Sequence, residues 1–335
     1  MRVQGALKVS VDEPVLSCED VSASLHAMMS EQQRRQFSDS ADLDFAFEAA
    51  NLGRFRVNAF QHHNGPGAVL RILAQSPPAL EQLILGDPTA KSVLISWAEK
   101  ISGLVLFSGR TGSGKSSTQA ALVERINTQG VRHVITIEDP IEFVYKSDRS
   151  LVHQRQLNED TRSFGNALRA ALREDPDVIL VGEMRDLETI QLAITAAETG
   201  HLVFGTLHTS SAAQTVDRMV DVFPPGQQTQ IRVQLSGSLL AVFSQTLCQR
   251  NNPAPGQFGR VMAQEIMINT PAIANLIREG KTAQLYSQIQ TGGEQGMQTL
   301  EKALANLVKN NTITKTEALS KASKEGELDR LISSP

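Results

Sequence analysis

The chain has 335 residues, of which 41% are hydrophobic and 20% charged, a globular composition long enough for about two domains. The 32 Lys and Arg against 36 Asp and Glu give a net charge of -4, and 4% of the residues are aromatic. These values disfavour a protein that binds nucleic acid by neutralising phosphates or by stacking bases. The two cysteines are too few for a disulfide framework or a four-thiolate zinc site. We therefore expect a cytosolic protein, because no apolar stretch predicts a transmembrane helix and residues 1–15 lack a signal-peptide core.

Residues 1–75 predict a small α+β domain. The pattern favours a helix over residues 19–37 and strands over residues 42–48, 54–60 and 67–73. In the second strand Arg54, Arg56 and Asn58 alternate with apolar residues, as in a strand with one buried face. Pro77 and Pro78 then interrupt regular structure, so residues 76–88 are predicted to be a linker.

Residues 89–270 predict an α/β domain, and residues 271–335 a helical C-terminal region. Apolar strand-like runs at residues 103–108, 131–137, 177–181 and 201–207 alternate with helical patterns at residues 115–129, 163–173 and 187–199. Such alternation is typical of a parallel sheet with helical crossovers. Three further helices are predicted from Thr270-Pro271 onward, over residues 282–291 and over residues 298–309. The polar residues from 312 to 335 favour a solvated helical tail.

Residues 109–116 match the phosphate-binding loop pattern G-x-x-x-x-G-K-[ST]. An apolar strand precedes the loop and a helical pattern follows it, which is the context that the motif requires. Glycines allow backbone N–H groups to point at phosphate oxygens, and the helix N-terminus favours negative charge. In this pattern the lysine contacts the β- and γ-phosphates and the last hydroxyl binds Mg²⁺. The predicted nucleotide-binding residues are Gly109, Thr111, Gly112, Ser113, Gly114, Lys115, Ser116 and Ser117.

Two glutamates follow apolar strands, where α/β sheets bind their ligands. Glu142 lies in a segment that follows the strand of residues 131–137, and Glu183 follows the strand of residues 177–181. The usual Walker B strand ends in Asp, whereas here Gly182 occupies that position and Glu183 comes next. We predict that Glu183, with Ser116, holds the metal, and that Glu142 polarises the attacking water. A surface carboxylate is the alternative for each.

Histidines and arginines supply further candidates for catalysis. His201 and His208 bracket an apolar strand, and His208 is the better placed to sense the γ-phosphate because it lies at the strand's end. A hydrogen-bonded structural histidine is the alternative for both. Arg56 and Arg71 lie on predicted strands of the small domain. Because phosphoryl transfer often uses an arginine from another domain or subunit, both are candidates, although most surface arginines are merely solvated.

These blocks together resemble the ATPases of bacterial type II secretion and type IV pili. Residues 172–186, L-R-E-D-P-D-V-I-L-V-G-E-M-R-D, resemble their Walker B region, and residues 136–143, T-I-E-D-P-I-E-F, resemble their Asp box. Residues 199–209 resemble their His box. Within the superfamily, residues 272–279 and 296–300 are most similar to the PilT-like pilus retraction ATPases. The extension and secretion members typically carry a four-cysteine zinc module, which two cysteines cannot supply.

The resemblance implies a RecA-like P-loop NTPase core, a small N-terminal α+β (PAS-like) domain and a helical C-terminal extension. It implies a homo-hexameric cytoplasmic motor, associated with the inner membrane through a pilus platform protein, that uses ATP and Mg²⁺ to retract type IV pili. Other pilus ATPases are further candidate partners. It assigns nucleotide or catalytic roles to Lys115, Ser116, Glu142, Glu183, His201 and His208, and nucleotide contacts to Arg56 and Arg71.

Three departures from the family pattern bear on this assignment. The family's opening segment is missing, so the first domain is expected to be shorter than in its relatives. Asn64 stands near a position where relatives often have Arg, and Ala274 replaces an Arg in the helix of residues 272–279. An accessory or regulatory ATPase with reduced hydrolysis therefore stays open as an alternative. A RecA-like nucleic-acid translocase is a second one, which the acidic net charge disfavours.

Overall fold

A computed structural model describes residues 2–3, 6–9, 14–50, 52–73, 76–84, 87–253 and 258–334. The chain divides into two compact units, Met1–Gln75 and Ser76–Pro335. The first unit contains β1 (Arg2–Val3), β2 (Ala6–Leu7), α1 (Cys18–Met28), α2 (Glu31–Ser40), β3 (Asp42–Ala49), β4 (Gly53–His62) and β5 (Gly65–Ile72). The strands β3, β4 and β5 form an antiparallel sheet in that order.

The three predicted strands of the first unit are confirmed, with β4 longer than predicted at both ends. Val57 and Ala59 are fully buried on one face of β4, as its alternation predicts. The prediction of one helix over residues 19–37 is wrong, because a second helix begins after Ser30. The Ser30 hydroxyl accepts the N–H of Gln33, and the Gln33 side chain accepts the N–H of Ser30. This capping box stabilises a new helix start in the middle of the apolar periodicity.

The second unit is built on a seven-stranded sheet. Its strands are β6 (Gly103–Ser108), β7 (His133–Glu138), β8 (Leu151–Gln156), β9 (Val178–Val181), β10 (Leu202–Leu207), β11 (Leu239–Gln249) and β12 (Arg260–Ile268). Their order in the sheet is β12-β11-β6-β10-β9-β7-β8. All neighbouring pairs are parallel except β11 and β12. The predicted parallel sheet is confirmed for its centre and is wrong at the β12 edge, where a chain reversal adds an antiparallel strand.

Helices cover both faces of this sheet. The helices of the second unit are α3 (Leu80–Leu83), α4 (Pro88–Ala98), α5 (Lys115–Gln129), α6 (Phe164–Ala171), α7 (Leu187–Glu198), α8 (Ala212–Asp221), α9 (Pro225–Ser238), α10 (Pro271–Glu279), α11 (Leu285–Thr291), α12 (Leu300–Lys309), α13 (Lys315–Lys321) and α14 (Glu325–Ser333). Every residue of β6, β9 and β10 is buried, which explains their continuous apolar runs. The segment predicted as a linker is partly folded, because α3 lies within it and Leu80 is buried in the core.

The C-terminal helices form a separate small core on the β11–β12 edge. The three helices predicted between residues 270 and 309 are confirmed, although the second begins with a 3₁₀ turn. The prediction of a solvated tail is wrong, because Ala318 and Leu328 are fully buried. They share one cluster with Cys248 and Val261 of the edge strands. Of the helices in the described ranges, none combines the length and hydropathy that a membrane span requires.

Glu265 on β12 places a carboxyl group inside this region. Its Oε1 accepts the N–H of Ala212 at 2.6 Å. Burial raises the pKa of Glu265 from 4.5 to about 7, and the nearby Glu301 acts in the same direction. The folded protein therefore holds a proton that the unfolded chain releases as the pH rises from 4.5 towards 7. Stability is lost across this window as the pH rises.

We expect Glu265→Gln to stabilise the protein at pH 8 by roughly 1–3 kcal/mol, with little effect at pH 5. The amide keeps an oxygen for the N–H of Ala212 and removes the buried charge. Urea denaturation at both pH values measures the difference. The exposed Glu294→Gln is the control and should show no such pH dependence. An equal effect of Glu265→Gln at the two pH values would contradict the assigned titration.

Candidate functional site

The phosphate-binding loop connects β6 to α5, as the sequence predicts. Its glycines Gly109, Gly112 and Gly114 have φ angles of 140°, 78° and 98°, a region that side chains disfavour. A Cβ atom at Gly109 would lie 2.4 Å from the carbonyl oxygen of Gln245, so this position requires glycine. A Cβ at Gly112 would meet no atom within 4 Å, which leaves the backbone there open to a ligand.

The Lys115 side chain is buried beneath the phosphate-binding loop and donates hydrogen bonds to the backbone of the loop. Its Nζ donates to the carbonyl oxygens of Gly109 at 2.7 Å and of Arg110 at 3.2 Å. The residue is 8% exposed, and this burial lowers the pKa of its ammonium group. The carboxylates of Glu183 and Glu142 oppose that shift, because they favour the charged form. The lysine thus links the loop electrostatically to both predicted acids.

Two buried polar atoms, one in the loop and one in α5, are available to a ligand. Within the described part of the chain, Ser113 Oγ and Gln119 Nε2 are buried without a hydrogen-bond partner. Such groups are rare in folded proteins and need a partner such as water, an ion or a ligand. Gln119 lines the same cleft as Ser116. Thr111 is exposed and Ser117 half-buried beside them, so the loop has both the donors and the access that phosphate binding requires.

The predicted acids meet at this cleft. Ser116, Glu142 and Glu183 all line it, because β7 and β9 end at the same edge of the sheet as β6. The Glu183 side chain is 18% exposed and lies between two partners. Its Oε1 is 3.1 Å from His208 Nε2, and its Oε2 is 2.5 Å from Arg185 Nη2. The Arg185 side chain turns back to Glu183, two residues earlier in the chain, a contact that the sequence motif alone does not predict.

The structure explains why glycine replaces the usual Walker B aspartate. The N–H of Gly182 donates to the carbonyl oxygen of Ile137 at 2.8 Å. A Cβ atom at Gly182 would lie 2.9 Å from that same oxygen and 3.2 Å from the Cα of Glu138. Both neighbours are backbone atoms of β7 and cannot move aside. A side chain at position 182 would separate β9 from β7, so the acid occurs one residue later.

The two predicted histidines lie at opposite ends of β10. His208 follows the strand and reaches Glu183, and its pKa is lowered mainly by burial and also by Lys115. His201 precedes the strand, with Nδ1 2.9 Å from the carbonyl oxygen of Ala196. Six strand residues separate them, about 20 Å. The structure of the chain therefore brings His208 to the site and does not bring His201 there.

Arg56 and Arg71 lie side by side in the first unit. They are directly opposite each other on β4 and β5. The Nε of Arg56 is 3.7 Å from Asp44 Oδ1, which is a loose and partly exposed ion pair. The two guanidinium groups thus share one face of the small sheet. Their predicted contact with a nucleotide stays a prediction.

The cleft offers oxygen-bearing side chains that could hold a nucleotide-bound Mg²⁺. The described residues contain no cluster of three or more His, Cys, Asp or Glu side chains that could hold a metal alone. Mg²⁺ is usually held by one or two carboxylates together with substrate phosphates. The hydroxyl of Ser116 and the carboxylate of Glu183 line one cleft and supply oxygen atoms of the required kind.

Comparison with known proteins agrees with this geometry. Residues 1–325 match the family model for type II/IV secretion system proteins. The chain is 51% identical over 96% of its length to the type IV pilus retractation ATPase PilT of Pseudomonas aeruginosa, of which it covers 90%. It is 49% identical over 96% of its length to a twitching motility protein of Neisseria gonorrhoeae, of which it covers 83%.

A solved structure gives the same result for the fold. The crystal structure of the pilus retraction motor PilT with bound ADP superposes with a TM-score of 0.87 and 45% identity. The match covers 98% of this chain and 91% of that one. The fold, the cleft and the sequence comparisons agree, and the chain belongs to the type II/IV secretion system protein family, in the group that resembles PilT.

Proposed function

We propose that this protein is an ATPase motor that drives the retraction of type IV pili and thereby twitching motility. One observation carries the proposal. Ser116, Glu142 and Glu183 line one cleft and both glutamates interact electrostatically with Lys115, in a chain that is 51% identical to a pilus retraction ATPase. The nearly complete coverage of that relative favours the same activity over a shared fold alone.

The phosphates of ATP would bind at residues 109–116, with Ser113 and the loop N–H groups as donors and Lys115 as the counter-charge. We propose that the second unit is a RecA-like core and the first a PAS-like domain. Ser116 and Glu183 would hold Mg²⁺, which supplies neutralisation of phosphate charge when it is bound. The bound ADP in the solved relative supports nucleotide use.

Glu142 is proposed to act as the general base. Its carboxylate would accept a proton from the water that attacks the γ-phosphorus, while the bond to the ADP oxygen breaks and inorganic phosphate leaves. His208 orients Glu183 through its Nε2–H, because burial keeps the imidazole neutral near pH 7. His201 has no part in this chemistry within one subunit. Any catalytic role for it would require a neighbouring subunit.

The proposed assembly is a homo-hexamer in the cytoplasm. Arg56 and Arg71 would contact a nucleotide and stabilise the charge of its transferring phosphate. The motor would act on a platform protein of the inner membrane and associate with the membrane through it. Other pilus ATPases are further proposed partners. Direct binding to nucleic acid is not part of the proposal, since the net charge is -4.

Deletion of the gene in its own host tests the proposal. We expect hyperpiliated cells without twitching motility, because pili would still extend but would not be withdrawn. Wild-type protein expressed from a plasmid should restore both phenotypes, whereas Glu142→Gln should restore neither at equal protein levels. Surface pili are counted by electron microscopy, and motility is scored as the width of the twitching zone.

The contrary outcomes are equally specific. Unchanged piliation after deletion would refute the retraction function. Full rescue by Glu142→Gln would remove Glu142 from the role of base. ATPase activity of the purified protein that rises with DNA and not with membranes would instead identify a nucleic-acid translocase.

A further inference from the structure

The segment of residues 139–150 carries Glu142 but contains no helix or strand. It joins β7 to β8, and its residues Ile141 and Phe143 are buried on either side of Glu142. Buried backbone N–H and C=O groups need hydrogen-bond partners. Because this segment belongs to no helix or strand, regular backbone–backbone hydrogen bonds cannot satisfy all of these groups. Side chains of the sheet supply those partners instead.

Gln154 on β8 makes two hydrogen bonds to this segment and a third to Glu138, the last residue of β7. Its Oε1 accepts the N–H of Tyr145 at 2.9 Å. Its Nε2 donates to the carbonyl oxygen of Phe143 at 2.8 Å and to Glu138 Oε1 at 3.1 Å. Both ends of the amide are therefore used, and reversing the group would break all three contacts.

Glu138 and Gln156 hold the segment on the other side of Glu142. The Glu138 carboxylate accepts the N–H of Glu142, together with the Thr136 hydroxyl at 2.7 Å. Gln156, which is 3% exposed, accepts the N–H of Ile141 at 3.1 Å. Thr136 and Glu138 are paired in register with Gln154 and Gln156, so the four side chains lie on one face of two adjacent strands.

We propose that Gln154 is a positioning residue for Glu142. By fixing the peptide groups at residues 143 and 145 and the side chain of Glu138, it keeps the Glu142 carboxylate at the cleft that Ser116 and Glu183 also line. Gln154 itself does not line that cleft, so it acts through Glu142 and not on the nucleotide. The inference rests on the proposed function, in which Glu142 is the base.

Steady-state and single-turnover ATP hydrolysis by the purified full-length protein test this role. We expect Gln154→Leu to lower kcat by about 10- to 100-fold, because small displacements of a catalytic group have effects of that order. The KM for ATP should change less than threefold, since residues 109–116 keep their contacts. Gln154→Glu is the second variant, because it keeps the size and the acceptor for Tyr145 but loses both donors. It should also lower kcat.

A double-mutant cycle separates positioning from a general loss of structure. In the Glu142→Gln background, Gln154→Leu should lower the single-turnover rate less than twofold, because the group that it positions is already lost. Gln298→Leu is the matched control. Gln298 is also buried and makes two side-chain hydrogen bonds, to Asp87 and to the carbonyl of Gln264, but it lies away from residues 139–150. It should leave kcat unchanged.

The inference is overturned if both Gln154 variants keep wild-type kcat while folded, as checked by thermal melting. It is also overturned if Gln154→Leu lowers the rate by the same factor with and without Glu142. A wild type without ATPase activity would refute the proposed function and this inference together. A hydrolysing wild type beside unaffected Gln154 variants would refute the inference alone.

Discussion

Lys115→Ala should weaken ATP binding by at least about 100-fold, which corresponds to roughly 2.7 kcal/mol. The ammonium group is buried under the loop and interacts electrostatically with Glu142 and Glu183. Without it, the phosphates would approach two carboxylates and lose the cation that offsets this repulsion. Titration of the purified protein with a fluorescent ATP analogue measures the affinity, and phosphate release measures the accompanying loss of turnover.

Lys281→Ala is the matched control for this change. Lys281 is an exposed lysine that forms an ion pair with Glu279, outside the cleft. Its removal should leave ATP affinity and turnover at wild-type values. If Lys115→Ala bound ATP within threefold of the wild type, the phosphate site would not be at residues 109–116.

Glu183→Gln should lower ATP turnover by at least about 100-fold while ATP still binds within a few-fold of the wild-type affinity. Glutamine has the size of glutamate and can accept the Nε2–H of His208, but it lacks the charge that holds a metal. The loop residues that bind phosphate are untouched. The variant should therefore retain ATP, which is measured by chromatography of the nucleotide released from protein after a single turnover.

Glu188→Gln provides the comparison. Glu188 lies in the first turn of α7, five residues after Glu183, and forms an ion pair with Arg169. Neutralising it should leave turnover within twofold of the wild type. If Glu183→Gln hydrolysed ATP at more than half the wild-type rate, Glu183 could not be a metal ligand.

The sequence was most informative where strong local constraints act. Strand β6 and helix α5 have the predicted bounds, because the glycines of the loop between them and Lys115 at the start of α5 leave the backbone few alternative conformations. Strand β8 was missed because its residues Gln154, Arg155 and Gln156 are polar and lack the apolar pattern of a buried strand. The sequence does not predict the edge strand β12. An antiparallel strand needs no crossover helix before it, so the alternation of strands and helices that indicates a parallel sheet is absent there. The burial of the tail is not predicted, because α13 and α14 bury single residues such as Leu328 and the composition of the tail remains polar.

The same reasoning applies to the site. Glu142 and Glu183 could be predicted because strand ends bring them to one edge of the sheet. The same rule favours His208 over His201, since His201 precedes β10, and only the family resemblance assigned His201 a catalytic role. Gln154 was missed because its role depends on backbone groups of an irregular segment, which leave no mark on residue type. The alternation of Gln154 and Gln156 is the feature of the sequence that indicates a strand with both side chains on one face.

The close approach of Gly109 to the carbonyl of Gln245 gives the second unit a mechanical connection. Gln245 belongs to β11, the strand whose far side pairs with β12 and supports the C-terminal helices. β11 thus joins the backbone that would hold the phosphates to the strand pair on which the C-terminal helices pack. By reciprocity, if ATP binding displaced those helices, a displacement of the helices would change the affinity for ATP by the same free energy.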